Sequence, residues 1–439
     1  MKKEFNLAGI GLGPFNLSLA ALLERVPNIE GHFFERREAF GWHSEIMFND
    51  SFMQTSFLKD LVTGVDPTNP YSFLNYLVQH GLFHSFMNTD RVSISRREFE
   101  IYCQWVVKQI SHRISFDSDI QRVSFSGEGF TLETEKESYR AQNLCIGTGP
   151  IPRIPDCARP FIGPRVFHAK SQFIKNLDLT GLNIAVVGGG QTGLEIFRNA
   201  LSNRWGKVRG ISLISERAGL EPLDNSPFTN EYFTPSYVGE FLKVHPDVKA
   251  RIIEHQKMAS DGNTPEYLNL LYNDLYQIKV IEGDQRPIEI LPYRSLRGIN
   301  PQGDFYRLDL FNHFMQERED LNVDLVILCT GFETKLPAVF APLFERLRHD
   351  SHGRPVVNSD FSLEWDGPTT NKIFAVNFSR HSHGISEPQT SLMAWRSGTI
   401  INSLTGTEFY PTTPTMPNFA RYGTRPQTSS APWEGELRV

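Results

Sequence analysis

Two stretches of the chain share one design, and nothing else in the sequence restricts the fold so strongly. In the first, the short apolar run Phe5 to Ile10 leads into Gly9-Ile10-Gly11-Leu12-Gly13-Pro14-Phe15-Asn16. A helical stretch through Leu17, Leu19, Ala20, Leu22 and Leu23 follows. In the second, Asn183 to Val187 leads into Gly188-Gly189-Gly190-Gln191-Thr192-Gly193, and a helix continues from Leu194 to Leu201. Strand, glycine-rich turn and helix together form a cradle for a dinucleotide pyrophosphate. The glycines let the backbone approach the phosphates, and the helix N-terminus offers free N–H groups and the positive end of its dipole. A single G-x-G-x-x-G is weak evidence, and the first turn has Pro14 at its last position. Two such units in series predict two dinucleotide sites.

The strands that follow each turn carry the ribose signal. Gly31-His32-Phe33-Phe34 ends in Glu35, about 20 residues beyond the first turn and placed for a ribose hydroxyl. Ile211 to Ile214 ends in Ser215-Glu216-Arg217. An acidic residue there favours NADH, and a hydroxyl or cation favours the 2′-phosphate of NADPH. Glu216 and Arg217 point in opposite directions; our reading is NADPH, with Ser215 and Arg217 on the phosphate.

The expected fold is α/β, with two Rossmann-like dinucleotide-binding domains, for FAD and NADPH, and a smaller, mainly helical substrate region. The FAD domain takes 1–160 and 325–410, and the NADPH domain 161–219 and 276–324. The polar, irregular stretch 220–275 is the substrate region. Residues 411–439, rich in Pro, Thr and Ser, form a loosely ordered tail. Within this frame Ser95-Arg96-Arg97-Glu98 reads as a capping box opening a helix that buries Phe99, Tyr102, Val106 and Ile110. Two apolar strands stop at Gly147-Thr148-Gly149 and at Thr330-Gly331, either tight turns or places where small residues admit a flavin. The last long helix, Ser391 to Leu404, is stopped by Gly406.

Composition removes several classes. A net charge of −6 argues against a general nucleic-acid binder. The four cysteines are scattered with no C-x-x-C, so neither a zinc ribbon nor a redox dithiol is expected, and a cytoplasmic protein fits. Met1-Lys2-Lys3 imitates a secretory signal, but Glu4, Asn6, Pro14 and Asn16 break the apolar run. No stretch supplies the ~20 apolar residues of a membrane span. His381 and His383 beside Glu387 lack a third ligand at sensible spacing, and no metal site is expected.

The motifs Gly11 to Leu17, Met53-Gln54-Thr55-Ser56-Phe57-Leu58-Lys59-Asp60-Leu61, Pro67 to Phe73, Gly188 to Gly193, Asn230-Glu231-Tyr232-Phe233 and Cys329-Thr330-Gly331-Phe332 stand in register over nearly the whole chain. Together they resemble the siderophore-type flavin-dependent N-hydroxylating monooxygenases, which act on lysine, ornithine or diamines, and the lysine branch most of all. The resemblance implies FAD, NADPH, O2 and a small-molecule primary amine, hydroxamate siderophore biosynthesis by way of a C4a-hydroperoxyflavin, and a homo-oligomer, dimer or tetramer. By the same resemblance Gly9, Gly11, Gly13, Pro14 and Phe15 serve FAD at the pyrophosphate turn and Glu35 its ribose, with Trp42, His43, Gln54, Thr330 and Leu392 also at the cofactor. Gly188, Gly190, Gln191, Thr192, Ser215 and Arg217 serve NADPH. Gln54, Lys59 and Asn230 are the catalytic candidates, and Lys59, Asn230 and Asn263 the substrate candidates, with a cofactor group the alternative partner for Lys59. Asn230 is alternatively an N-cap before Glu231. Ornithine enzymes carry an Asn-Tyr pair where this chain has Ser260-Asp261-Gly262-Asn263-Thr264, which moves the expected amine away from ornithine. L-Lysine, cadaverine and putrescine remain, with a slight preference for the diamines.

The chemistry sets its own demand. An alkylamine has a pKa of about 10.4, so presenting it neutral at pH 7 costs about 4–5 kcal/mol. Desolvation lowers that pKa and supplies part of the cost.

Overall fold

The computed structural model describes residues 4–414, 416 and 418–424. Two sheets carry the two cradles. The first holds β1 (Glu4–Ile10), β2 (Gly31–Phe34), β3 (Ile114–Ser115), β4 (Arg122–Phe125), β5 (Phe130–Glu133) and β6 (Ser138–Ile146) in the order β3-β2-β1-β6-β5-β4. Its left part is parallel and β4, β5 and β6 are antiparallel. The late strand β17 (Ile373–Ala375) adds in parallel to β6. The second sheet, with β8 (Val166–His168), β9 (Asn183–Val187), β10 (Gly210–Ile214), β11 (Ile288–Leu291) and β15 (Leu325–Leu328), is parallel throughout in the order β11-β10-β9-β15-β8. Strands such as β2, β10 and β15 are buried along their whole length, as parallel strands covered on both faces must be.

The first unit is closed by chain from the far end of the sequence. The helix Pro14–Leu23 is almost wholly buried and packs against the helix Met393–Thr405, which ends at Gly406 in the left-handed conformation. Tyr410 Oη donates to the carbonyl of Leu22 at 2.7 Å. The capping box at Ser95 and Glu98 is formed in both directions.

Two expectations need correction. Leu325–Leu328, assigned from sequence to the FAD domain, lies inside the second sheet, between β9 and β8. A four-residue strand buried on both faces needs a partner on each side, and Ile184 to Val187 and Val166 to His168 provide them. The return to the first unit comes after it, where β16 (Phe332–Glu333) pairs with β7 (Ile151–Pro152). The outward and return crossings therefore run side by side, tied by Arg153 N–H to the Gly331 carbonyl. The antiparallel β12 (Arg294–Gln302), β13 (Phe305–Asn312) and β14 (Glu317–Val323) stand before that return. The second correction concerns the tail. Over its described part it is docked, with Trp395 Nε1 donating to the Thr412 carbonyl and residues 418–423 bound to Glu231 and Glu240. Residues 425–439 lie outside the described residues.

Candidate active site

The two glycine-rich turns have nearly one conformation. Gly13 caps its helix at φ −88°, ψ −179°, and Gly190 caps its own at φ −88°, ψ 179°. Neither helix has a side-chain cap or an acidic residue in its first turn, so both present uncapped N–H groups for an anion. In each turn a positive-φ glycine lies against the end of a neighbouring strand. A Cβ on Gly11 (φ +83°) would sit 2.7 Å from the carbonyl of Gly147, and one on Gly188 (φ +130°) would collide with the carbonyl of Cys329. Gly13 faces open space, and the nearest group to a Cβ on Gly190 is the Arg217 guanidinium at 3.9 Å. Both cradles thus leave room where phosphates would approach, and the residues present fit FAD and NADPH. Gly9 is different. A side chain there would strike the Phe33 ring, so its smallness serves the packing of β1 on β2. Pro14 is the first, buried residue of its helix, while Gln191 and Thr192 open the second helix.

At the strand ends, Glu35 is buried and accepts from the N–H of Leu12 at 2.8 Å and of Arg37 at 3.0 Å. Ser215 is buried, and its Oγ accepts from Arg217 N–H at 3.1 Å. Arg217 Nη1 reaches the Asp261 carbonyl at 3.0 Å, whereas Glu216 is exposed. The cation beside the second cradle is therefore Arg217.

Around the first cradle, Trp42 packs edge-on against Phe99 and His43. His43 adopts a positive φ of 52°, and its Nδ1 is buried without a partner. Burial, and then the charges of Lys170, Arg96 and Arg37, hold its pKa down at about 3, so it is neutral at working pH. The Arg396 guanidinium lies 4.5 Å from the Phe15 ring. Leu392 is buried just before the final helix, and Thr330 Oγ1 donates to the Arg153 carbonyl. Buried polar atoms without protein partners gather in the last segment, at Ser386 Oγ, Ser391 Oγ and Arg396 Nη1. Buried polar groups ordinarily have partners, and a polar cofactor would supply them here.

The substrate candidates are not all brought together. Gln54 is exposed and reaches the Gly262 carbonyl through Nε2 at 3.5 Å. Asn263 is fully buried, and its Nδ2 donates to the carbonyls of Gly189 and Glu221, each at 3.1 Å. Its Oδ1 alone is unpartnered. Thr264 donates its N–H and hydroxyl to Gln191 Oε1 at 2.9 and 3.1 Å, and Asp261 pairs with Arg380 at 3.2 Å. Residues 260–264 are thus the point where the first unit, the second cradle and the helical insertion meet. Lys59 is exposed and borders a small cavity also lined by Met53, Asp60, Phe73 and Tyr102. Desolvation lowers its pKa, and no hydrogen bond or ion pair to its ammonium occurs among the described residues. Asn230 ends the short helix Pro227–Asn230, is exposed and donates to the Asn225 carbonyl at 3.1 Å; it stands at the N-cap position of the turn Glu231–Phe233, without a capping side-chain bond.

Sequence reasoning missed three groups. Asn16 donates to the Gly11 carbonyl at 2.7 Å and accepts from Cys145 Sγ, joining the first turn to β6. Arg96 pairs with the wholly buried Glu195 at 3.0 Å, and Glu195 accepts from Gln191 at 2.9 Å. Arg396 is buried beside Glu387. A charged residue on the apolar face of a helix was the available signal for Glu195 and Arg396.

Two parallel units with matching phosphate cradles, joined by a double crossing and meeting at a shared cleft segment, define a two-dinucleotide flavoprotein. The family model described as L-lysine 6-monooxygenase/L-ornithine 5-monooxygenase matches residues 3–334. The chain is 39% identical over 412 residues to the L-lysine N6-monooxygenase of Escherichia coli, covering 93% of this chain and 96% of that one. It is 32% identical to the putrescine N-hydroxylase of Shewanella oneidensis, covering 93% and 82%. The solved ornithine N-hydroxylase of Kutzneria sp. 744, with reduced FAD, NADP+ and L-ornithine, superposes with a TM-score of 0.83 at 28% identity, covering 92% of this chain and 99% of that one. The chain belongs to the L-lysine 6-monooxygenase/L-ornithine 5-monooxygenase family. It is a flavin-dependent N-hydroxylating monooxygenase that uses FAD and NADPH. No helix among the described residues is long and apolar enough to cross a membrane.

Proposed function

We propose that this enzyme hydroxylates the terminal amine of L-lysine for a hydroxamate siderophore. The observation that carries the choice is Lys59, an exposed cation bordering a cavity with no anionic partner among the described residues, its pKa lowered by partial desolvation. A carboxylate at one end of the substrate satisfies it, and a diamine has none. The higher identity to the lysine enzyme than to the putrescine enzyme points the same way. A diamine is the second reading. It is favoured by Asn263, whose hydrogens are engaged inside the protein and whose Oδ1 acceptor suits any ammonium.

Bound FAD, reduced by NADPH, supplies the activation of O2. The residues of the chain do the rest. Gly11, Gly13 and the uncapped N-terminus of Pro14–Leu23 hold the FAD pyrophosphate, with Glu35 at its ribose. Gly188, Gly190 and the helix opened by Gln191 and Thr192 hold NADPH, with Arg217 and Ser215 on its 2′-phosphate. Lys59 meets the substrate carboxylate, Asn230 and Asn263 are the further substrate-binding candidates, and Gln54 bonds to the Gly262 carbonyl next to Asn263. Desolvation of the terminal amine in the closed site disfavours the ammonium form and favours the neutral amine. A cytoplasmic homo-oligomer, dimer or tetramer, completes the reading.

The test is NADPH oxidation coupled to hydroxylamine formation with L-lysine, L-ornithine, cadaverine and putrescine in parallel, for the wild type and for Lys59→Met. The expected result is product from lysine, with a KM for lysine raised at least about ten-fold by Lys59→Met, the size of a lost charge-assisted contact. Product from a diamine alone establishes the second reading.

A further inference from the structure

The C-terminal segment does more than cover surface. Glu231 Oε1 accepts from Phe419 N–H at 2.8 Å and Oε2 from Ala420 N–H at 2.9 Å. The main-chain carbonyl of Glu231 accepts from Asn418 Nδ2 at 3.0 Å, and Asn418 Oδ1 accepts from Thr234 Oγ1 at 2.9 Å. Farther along the same insertion, Glu240 Oε2 accepts from Tyr422 N–H at 2.9 Å and Gly423 N–H at 3.2 Å. The Tyr422 ring stands edge-on to Tyr237 with centroids 5.0 Å apart. Two carboxylates thus each bind a consecutive pair of backbone N–H groups. Charge-assisted bonds of this kind are the stronger class. A segment rich in Pro and lacking secondary structure has such N–H groups to offer.

Glu231 follows Asn230 directly. Among the described residues the Asn230 amide is tied only to the Asn225 carbonyl, so the direction of its side chain depends on the backbone of 225–231. The tail grips that turn at the Glu231 carbonyl and carboxylate, and grips the helix Pro235–Leu242 at Glu240. We propose that residues 418–424 are a strap that fixes the Asn230 turn in its amine-binding conformation, making this C-terminal segment a specificity element of the active site. The inference rests on the reading of Asn230 as a substrate residue.

Two variants test it. One chain ends after Pro414. The other is full length with Glu231→Ala and Asn418→Ala, which removes the grip on the turn itself, so that a folding failure of the first leaves the second informative. FAD content, anaerobic flavin reduction by NADPH, kcat and KM for lysine, and product formed per NADPH are measured. The expected result is unchanged FAD content and flavin reduction, a KM for the amine raised about five-fold or more, and a fall in product per NADPH. Unchanged KM and coupling in the double variant overturn the strap, as does a parallel loss of FAD and flavin reduction. Asn230→Ala in the intact chain separates the two readings. No rise in KM there overturns the role of Asn230, while a rise there and none in the strap variants overturns the strap alone.

Discussion

The side-chain amide of Asn263 donates to the carbonyl of Gly189 at 3.1 Å, from a position with no solvent exposure. One residue of the helical insertion is therefore bonded to the phosphate turn of the second cradle, and its Oδ1 is buried without a protein partner. Asn263→Ala removes both that bond and that acceptor. Its expected effect is a rise in KM for NADPH and for the amine together, each by about five- to fifty-fold. Steady-state kinetics varying one substrate at a time will show it, and a change in only one KM contradicts the shared position.

Arg217 provides the charge at the far end of the same cradle. Arg217→Ala is expected to slow flavin reduction by NADPH about ten- to a hundred-fold while leaving reduction by NADH nearly unchanged, because only the 2′-phosphate loses a charge-assisted partner. Anaerobic stopped-flow with both coenzymes measures the ratio.

Arg96 and Glu195 join the two units through a buried ion pair, with side chains 15% and 0% exposed. Breaking such a pair strands one charge and costs about 3–5 kcal/mol, whereas replacing both partners by apolar groups costs far less. Arg96→Met alone should lower thermal stability by several degrees, and Arg96→Met with Glu195→Leu should recover most of it. A double variant no better than the single one would remove the pair as the cause.

The glycines divide by environment. Gly188→Ala forces a Cβ into the Cys329 carbonyl at a φ of +130°, a strain of about 1–3 kcal/mol before the collision is counted, and soluble yield should fall. Gly13→Ala meets nothing within 4 Å. That variant should fold with an unchanged Tm and release FAD more readily, as read by flavin content after gel filtration.

His168 and His383 are buried and His43 is partly buried, and desolvation keeps all three neutral, with pKa values lowered to about 3 for His43 and His383 and about 4 for His168. In the unfolded chain each titrates near 6.5. Between those values the unfolded state binds more protons, so stability is complete above about pH 6.5 and falls as pH drops toward 4, by about 1.4 kcal/mol per pH unit for each group. Thermal melts from pH 7 to 4 should show that decline, and His383→Gln should make it shallower.

The amino-acid sequence by itself determined the two strand–turn–helix cradles, the capping box at Ser95 and Glu98, the ends of the buried strands and the helix stop at Gly406. Each is set by residues within a few positions of one another, where periodicity and backbone preference act directly. The family motifs then identified Lys59, Asn230 and Asn263 as substrate candidates. Only the tertiary structure decided that Leu325–Leu328 belongs to the second sheet, that Gly147 and Cys329 each close a cradle, and that residues 260–264 join three parts of the molecule. It also decided that the tail is bound by Glu231 and Glu240. These contacts join residues far apart in sequence, and their partners follow from sheet order and side-chain packing, which no local pattern encodes.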